Sequence, residues 1–142
     1  MEDLRGDDLE LIEHARRIVE AHGDDEVHTV GAAVRDVQGR IFGGINLYHF
    51  TGGPCAELVA LGHARASGAR ELTAIVAYAD RGRGVIPPCG RDCQVLLDYH
   101  PGIAVLIPTV DGIRRVTVKD LMPHAYVWTP DEGSQPTPDC GR

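Results

Sequence analysis

Residues 51–59 read TGGPCAELV, and residues 87–97 read PPCGRDCQVLL. Each stretch passes from turn residues through proline into a helix-forming run, and proline is best tolerated at a helix's first position, where its missing N–H is not needed. The first predicts a helix from about Pro54 to Ser67, stopped by Gly68, and the second a helix opened by Pro87 and Pro88 and running through Leu97. Cys55, Glu57 and Cys89 then fall at helix starts. Two such starts bearing thiols can converge on one cation, and their free N–H groups favour the thiolate that a metal requires.

The segments around these two helices define the sheet. Leu72 to Tyr78 is β-rich, and a Gly- and Arg-containing loop follows it. Upstream, His28 to Asp36 and Arg40 to Leu47 read as a hairpin about residues 37–39. A first helix from Asp7 to His22 places Leu11, Ile12, Ala15, Ile18 and Val19 on one stripe, with Asp7 and Glu10 as N-terminal caps and Gly23 as a stop. Downstream, Pro101 and Gly102 precede a strand Ile103 to Ile107, a turn at Val110, Asp111 and Gly112, and a strand Arg114 to Val118. Lys119 to Trp128 is expected to hold a short helix and an aromatic pair, Tyr126 and Trp128. Residues 129–142 are rich in Pro, Gly, Ser and Asp and are expected to form a flexible tail, leaving residues 1–128 as one folded domain. Helices alternating with strands after a hairpin imply an α/β fold, a mixed sheet with helices on its faces.

A chain of 142 residues has room for one core. Its formal charge of −7, without a basic run, repels a phosphate backbone, so a small neutral or cationic substrate is expected and nucleic acid is not. No apolar run approaches the ~20 residues needed to cross a bilayer, so no membrane partner is expected. The start MEDLRGDDLE lacks the order of a secretory signal, and the expected location is cytoplasmic. Cysteines in that compartment are metal ligands or plain thiols rather than a disulfide framework.

Soft sulfur selects zinc over magnesium or calcium. Three protein ligands leave the fourth tetrahedral position open, the arrangement of a catalytic site. Glu57, two residues after Cys55, is placed to work beside the metal without binding it, as a proton carrier. Cys140 lies among turn residues of the tail and is not a ligand candidate.

The pair of motifs, CAE at 55–57 and PCGRDC at 88–93, resembles the zinc-dependent nucleobase and nucleoside deaminases. The hairpin segments Val30 to Ala33 and Gly39 to Phe42, with Asn46, look like those of cytidine deaminases, in which the matching Asn contacts the ribose. Two positions differ: Tyr48 stands where that family has a ribose-binding Glu, and His28 where it has an aromatic residue on the base. The runs YHFTGGPCAELV at 48–59 and PCGRDCQVLLDYHPG at 88–102, with Tyr126, Val127 and Trp128, are more similar to the blasticidin S deaminase branch. The resemblance spans about residues 9–128 and implies a three-layer α/β/α sandwich on a mixed five-stranded sheet, Zn2+ as cofactor, and a homotetramer with sites near subunit interfaces. It implies hydrolytic deamination of a cytosine-type ring in blasticidin S or a related aminonucleoside, with cytidine, deoxycytidine or another base analogue as the alternative. It also implies substrate contacts from Asn46, Tyr48, His28, Arg83, Tyr126 and Trp128, with Arg83 meeting an acidic sugar.

The third metal ligand has two candidates. The family has Cys three residues after the first Cys and Arg next, whereas this chain has Asp92 and then Cys93. Alignment favours Asp92, and ligand softness favours Cys93, about 100° further round a helix and four residues from Cys89. Cys93 is named with Cys55 and Cys89, and Asp92 is its alternative. The same exchange leaves a non-catalytic zinc or thiol protein as a further reading.

Overall fold

A computed structural model describes residues 1–127. The expected tail and Trp128 lie outside the described residues. The elements follow in the order α1 (Gly6–His22), β1 (Val30–Asp36), β2 (Ile41–Ile45), α2 (Ala56–Ala66), β3 (Leu72–Ala79), β4 (Gly84–Ile86), α3 (Gly90–Tyr99), β5 (Ala104–Thr109), β6 (Gly112–Thr117) and α4 (Val118–Leu121).

The strands form one mixed sheet in the order β2-β1-β3-β5-β6. β3 and β5 are parallel, Ala74 opposite Ala104 and Ile75 opposite Val105, and the remaining pairs are antiparallel. The five expected strands are all present. A sixth, β4, was expected to be loop; it pairs with β3 through Tyr78 and Val85 beyond a turn containing Arg81 and Gly82, and it opens on Gly84, all three at positive φ. Three residues are too few for a period-2 pattern to show.

Alternation along the strands builds two cores. Ala32, Val34, Ile75, Ala77 and Val105 join the small-residue face of α2 (Ala56, Ala60, Ala64) and Leu96 of α3. On the other side, Ala33, Ala74, Val76 and Leu106 pack with Leu11 and Ala15 of α1. These are the expected three layers. The alanine face brings α2 close: a Cβ on Gly44 of β2 would lie 2.4 Å from the Ala60 nitrogen and 2.7 Å from the Ala56 carbonyl oxygen. That contact fixes the start of α2, and with it Cys55 and Glu57.

The cap of α1 differs from expectation. Asp8, wholly buried, accepts from the Arg5 backbone N–H at 2.7 Å and pairs with Arg115 of β6. Asp7 and Glu10 instead bind the guanidinium of Arg35, Asp7 through its carbonyl at 2.7 Å and Glu10 through its carboxylate at 2.9 Å. Buried arginine on a sheet face has to be paired, and the start of α1 supplies the anions, the Glu10 carboxylate and that of Asp7, whose Oδ2 is 3.1 Å from the Arg35 Nη1. No helix among the described residues is long and apolar enough to cross a membrane.

Candidate metal centre and catalytic site

Cys55 and Cys89 are the N-cap residues of α2 and α3, one position before the helical turns in which they were expected. Both have extended backbones and neither side chain caps its own helix, so the thiols face each other, Sγ to Sγ 3.7 Å. Asp92, in the first turn of α3, points into the same space with Oδ2 3.3 Å from the Cys89 Sγ. Its Oδ1 is buried and has no hydrogen-bond partner. A buried carboxylate oxygen left unpaired is costly, so it marks a place where a cation belongs.

The donor set fits zinc. One ligand atom from each of Cys55, Cys89 and Asp92 lies within 4.8 Å of the others. Zinc bonds of ~2.3 Å to sulfur and ~2.1 Å to oxygen at tetrahedral angles require sulfur–sulfur separations of about 3.8 Å and sulfur–oxygen separations of about 3.6 Å. The observed 3.7 and 3.3 Å fall near both. Cys93 is not in this group: it is 5% exposed, belongs to the core beneath α3, and turns its thiol to the Pro88 carbonyl at 3.8 Å. The extra helical step that separates it from Asp92 carries it away from the thiol pair.

Glu57, two residues into α2, is 4% exposed. Burial, reinforced by the negative charge of Asp92, raises its carboxyl to about 7. An acid so placed can take up and give back a proton near neutral pH. Burial likewise pushes the Cys55 thiol up to about 11, against a hydrogen bond from Arg91 and with the Asp92 charge adding to the rise. The helix N-termini were expected to favour the thiolate; for Cys55, burial and neighbouring acidic groups outweigh them, a balance that a bound cation would reverse. Arg91 was not expected in a functional role. Its Nη2 donates to the Gly53 carbonyl at 3.1 Å and lies 3.6 Å from the Cys55 Sγ, and the sequence signal was a cation two residues after a helix-capping thiol.

Cys55, Glu57, Cys89 and Asp92 line a cavity of about 200 Å³, whose other walls include Val30, Asn46, Tyr48, Ile86 and Pro87. A larger hollow of about 730 Å³ lies on the outer side of α2 and α3, lined by Leu61, Leu72, Val95 and Tyr99 among others, but the convergent donors are in the smaller one.

Of the expected substrate contacts, Asn46 and Tyr48 line the cavity. The Asn46 Oδ1 is occupied, accepting from the N–H groups of Thr29 at 2.7 Å and Val30 at 3.0 Å. Tyr48 is 73% exposed on the rim. His28 is tied by Nδ1 to the Asn46 carbonyl at 2.8 Å and supports this wall from behind. Arg83 is held by Asp80, Nη2 to Oδ1 2.6 Å, and Tyr126 is exposed with its carbonyl accepting from Gln94 at 2.9 Å; neither lines the cavity.

This architecture can be set beside known proteins. No family model matches the chain. Blasticidin-S deaminase of Bacillus cereus is 33% identical over 128 residues, 84% of this chain and 91% of that protein. The chain belongs to the cytidine deaminase superfamily. Cytidine deaminase of Halalkalibacterium halodurans, in that superfamily, is 37% identical over 101 residues, 68% of this chain and 76% of that one. The crystal structure of cytidine deaminase from Burkholderia pseudomallei superposes with a TM-score of 0.69 at 31% identity, covering 83% of this chain and 98% of that one. The relatives of this superfamily member are deaminases, and the three-layer fold read above is theirs.

Proposed function

We propose that the chain is a zinc-dependent hydrolase that removes the amino group from a cytosine-type ring, with blasticidin S or a related aminonucleoside as substrate. The observation that carries this reading is the placement of a buried Glu57, raised to about 7, in the same small cavity as the convergent donors Cys55, Cys89 and Asp92.

In this reading Cys55, Cys89 and Asp92 hold the metal, the last in preference to Cys93. Bound zinc supplies the Lewis acidity that makes water a nucleophile at neutral pH. Glu57 accepts one proton of the attacking water and delivers it to the ring nitrogen, then carries the remaining hydroxyl proton of the adduct to the amino group, so that the C–N bond breaks, ammonia leaves and the ring carbon keeps the oxygen as a carbonyl. A carboxyl with a pKa near neutrality serves as both base and acid in these steps. Val30, Ile86 and Pro87 form apolar wall suited to a flat ring, while Asn46 and Tyr48 face the sugar side. Arg83 is assigned to the acidic sugar, and Tyr126 to closure of the pocket over the ring, a role shared with Trp128, which lies outside the described residues. Access from His28 is indirect, through the Asn46 carbonyl. The protein acts as a cytoplasmic homotetramer on a small molecule, without nucleic acid.

Plain cytidine or deoxycytidine is the second substrate reading, favoured by the names of the H. halodurans and B. pseudomallei relatives. Steady-state kinetics on cytosine, cytidine, deoxycytidine and blasticidin S decide between them. Blasticidin S is expected to give the highest kcat/KM. Equal or better turnover of cytidine assigns the second reading, and no turnover of any ring by zinc-loaded protein refutes deamination.

A further inference from the structure

We propose that Asp92 makes this a mixed-donor centre, two thiolates and one carboxylate, that separates zinc from cobalt(II) less sharply than three thiolates would. The inference rests on the metal-binding part of the reading above and adds which donor sets the metal preference.

A carboxylate carries the same single negative charge as a thiolate, so the summed charge of the three donors is that of an all-cysteine set. What changes is polarisability: the soft sulfur favours zinc, and the harder oxygen narrows the differences among first-row divalent ions. Asp92 is committed to this place. It is 1% exposed, one carboxylate oxygen sits 3.3 Å from the Cys89 Sγ, and the other is buried without a partner. Cys93 does not restore the third sulfur, because its side chain is packed in the core with Leu96, Ile103 and Val105 and its thiol faces the Pro88 carbonyl.

The test is equilibrium competition of zinc and cobalt(II) for the full chain against a chromophoric chelator, with the thiolate-to-cobalt charge-transfer band recorded on the same samples. No substrate is present. Asp92→Cys is expected to raise the zinc-over-cobalt affinity ratio about tenfold and the band about 1.5-fold, from two thiolates to three. Cys93→Ser is expected to leave ratio and band as in wild type. Asp92→Asn, which keeps the side-chain shape, is expected to weaken both metals while retaining the two-thiolate band, and it serves should Asp92→Cys fail to fold. An unchanged ratio in Asp92→Cys, unchanged affinities in Asp92→Asn, or loss of about a third of the band in Cys93→Ser overturns the proposal. A chain that meets all these metal-binding expectations yet deaminates no ring supports it and refutes the proposed function alone.

Discussion

Cys89 and Asp92 stand three residues apart on the first turn of α3, with the thiol sulfur 3.3 Å from one carboxylate oxygen while the other carboxylate oxygen is buried and unpaired. The helix presents them together with the Cys55 thiol from α2, and turns the Cys93 thiol to the Pro88 carbonyl. Metal content therefore separates the two residues cleanly. Asp92→Ala is expected to lose most of its zinc on dialysis, and Cys93→Ser to keep the wild-type amount per chain, measured by elemental analysis of freshly purified protein. Loss in the second variant and not in the first reverses the assignment.

Zinc uptake is expected to be linked to pH. The Cys55 thiol is pushed up to about 11 by burial, so it is protonated at neutral pH, and ligation must expel that proton. Binding therefore releases protons and tightens as pH rises. Calorimetric titration of the apo protein with zinc, in buffers of different ionisation enthalpy between about pH 6 and 8, reads this directly. Uptake without proton release contradicts it.

Burial lowers the pKa of His100, at the end of α3, from its ordinary value of 6.5. A histidine depressed in the folded state takes up its proton first in the unfolded chain, so its contribution to stability is present above 6.5 and is lost as pH falls through that value towards the folded one. The difference in melting temperature between wild type and His100→Gln is expected to shift against the wild type as pH falls from about 7.5 to 5.5. A difference independent of pH removes His100 from the account.

Gly44 tests the link from packing to chemistry. A methyl group there meets the backbone of α2 at 2.4 Å, which the helix can relieve only by moving off the sheet. Gly44→Ala is expected to cost about 1–3 kcal/mol in denaturant unfolding and to lower turnover, since Cys55 and Glu57 ride on the same helix start. A variant of wild-type stability and activity means α2 is held elsewhere.

The parts of the fold legible in the sequence were those governed by short-range rules. Proline and glycine punctuation located α2 and α3, and apolar periodicity located α1 and the longer strands, each within a few residues. Spacing placed Glu57 beside Cys55, because two residues along a helix start is a local relationship. The misreadings came from contacts distant in sequence. Asp8 looked no different from Asp7, and only Arg115, 107 positions away, makes it the buried cap. Burial of Cys55 could not be read from its neighbours in the chain, so the rise of its thiol against the helix N-terminus was hidden. The choice between Asp92 and Cys93 turned on which side of α3 faces the core, and the apolar positions on that helix, Leu96 above all, are too few to fix its rotation from sequence.

In the proposed metal-assisted deamination, the proton-carrying role falls to Glu57. Its most direct test compares wild type and Glu57→Gln at matched, stoichiometric zinc, following loss of the cytosine-ring absorbance with blasticidin S and cytidine. Glu57→Gln is expected to keep its zinc and its fold while kcat falls about 10²- to 10⁴-fold. A zinc-loaded Glu57→Gln protein that turns over either substrate at the wild-type rate contradicts it.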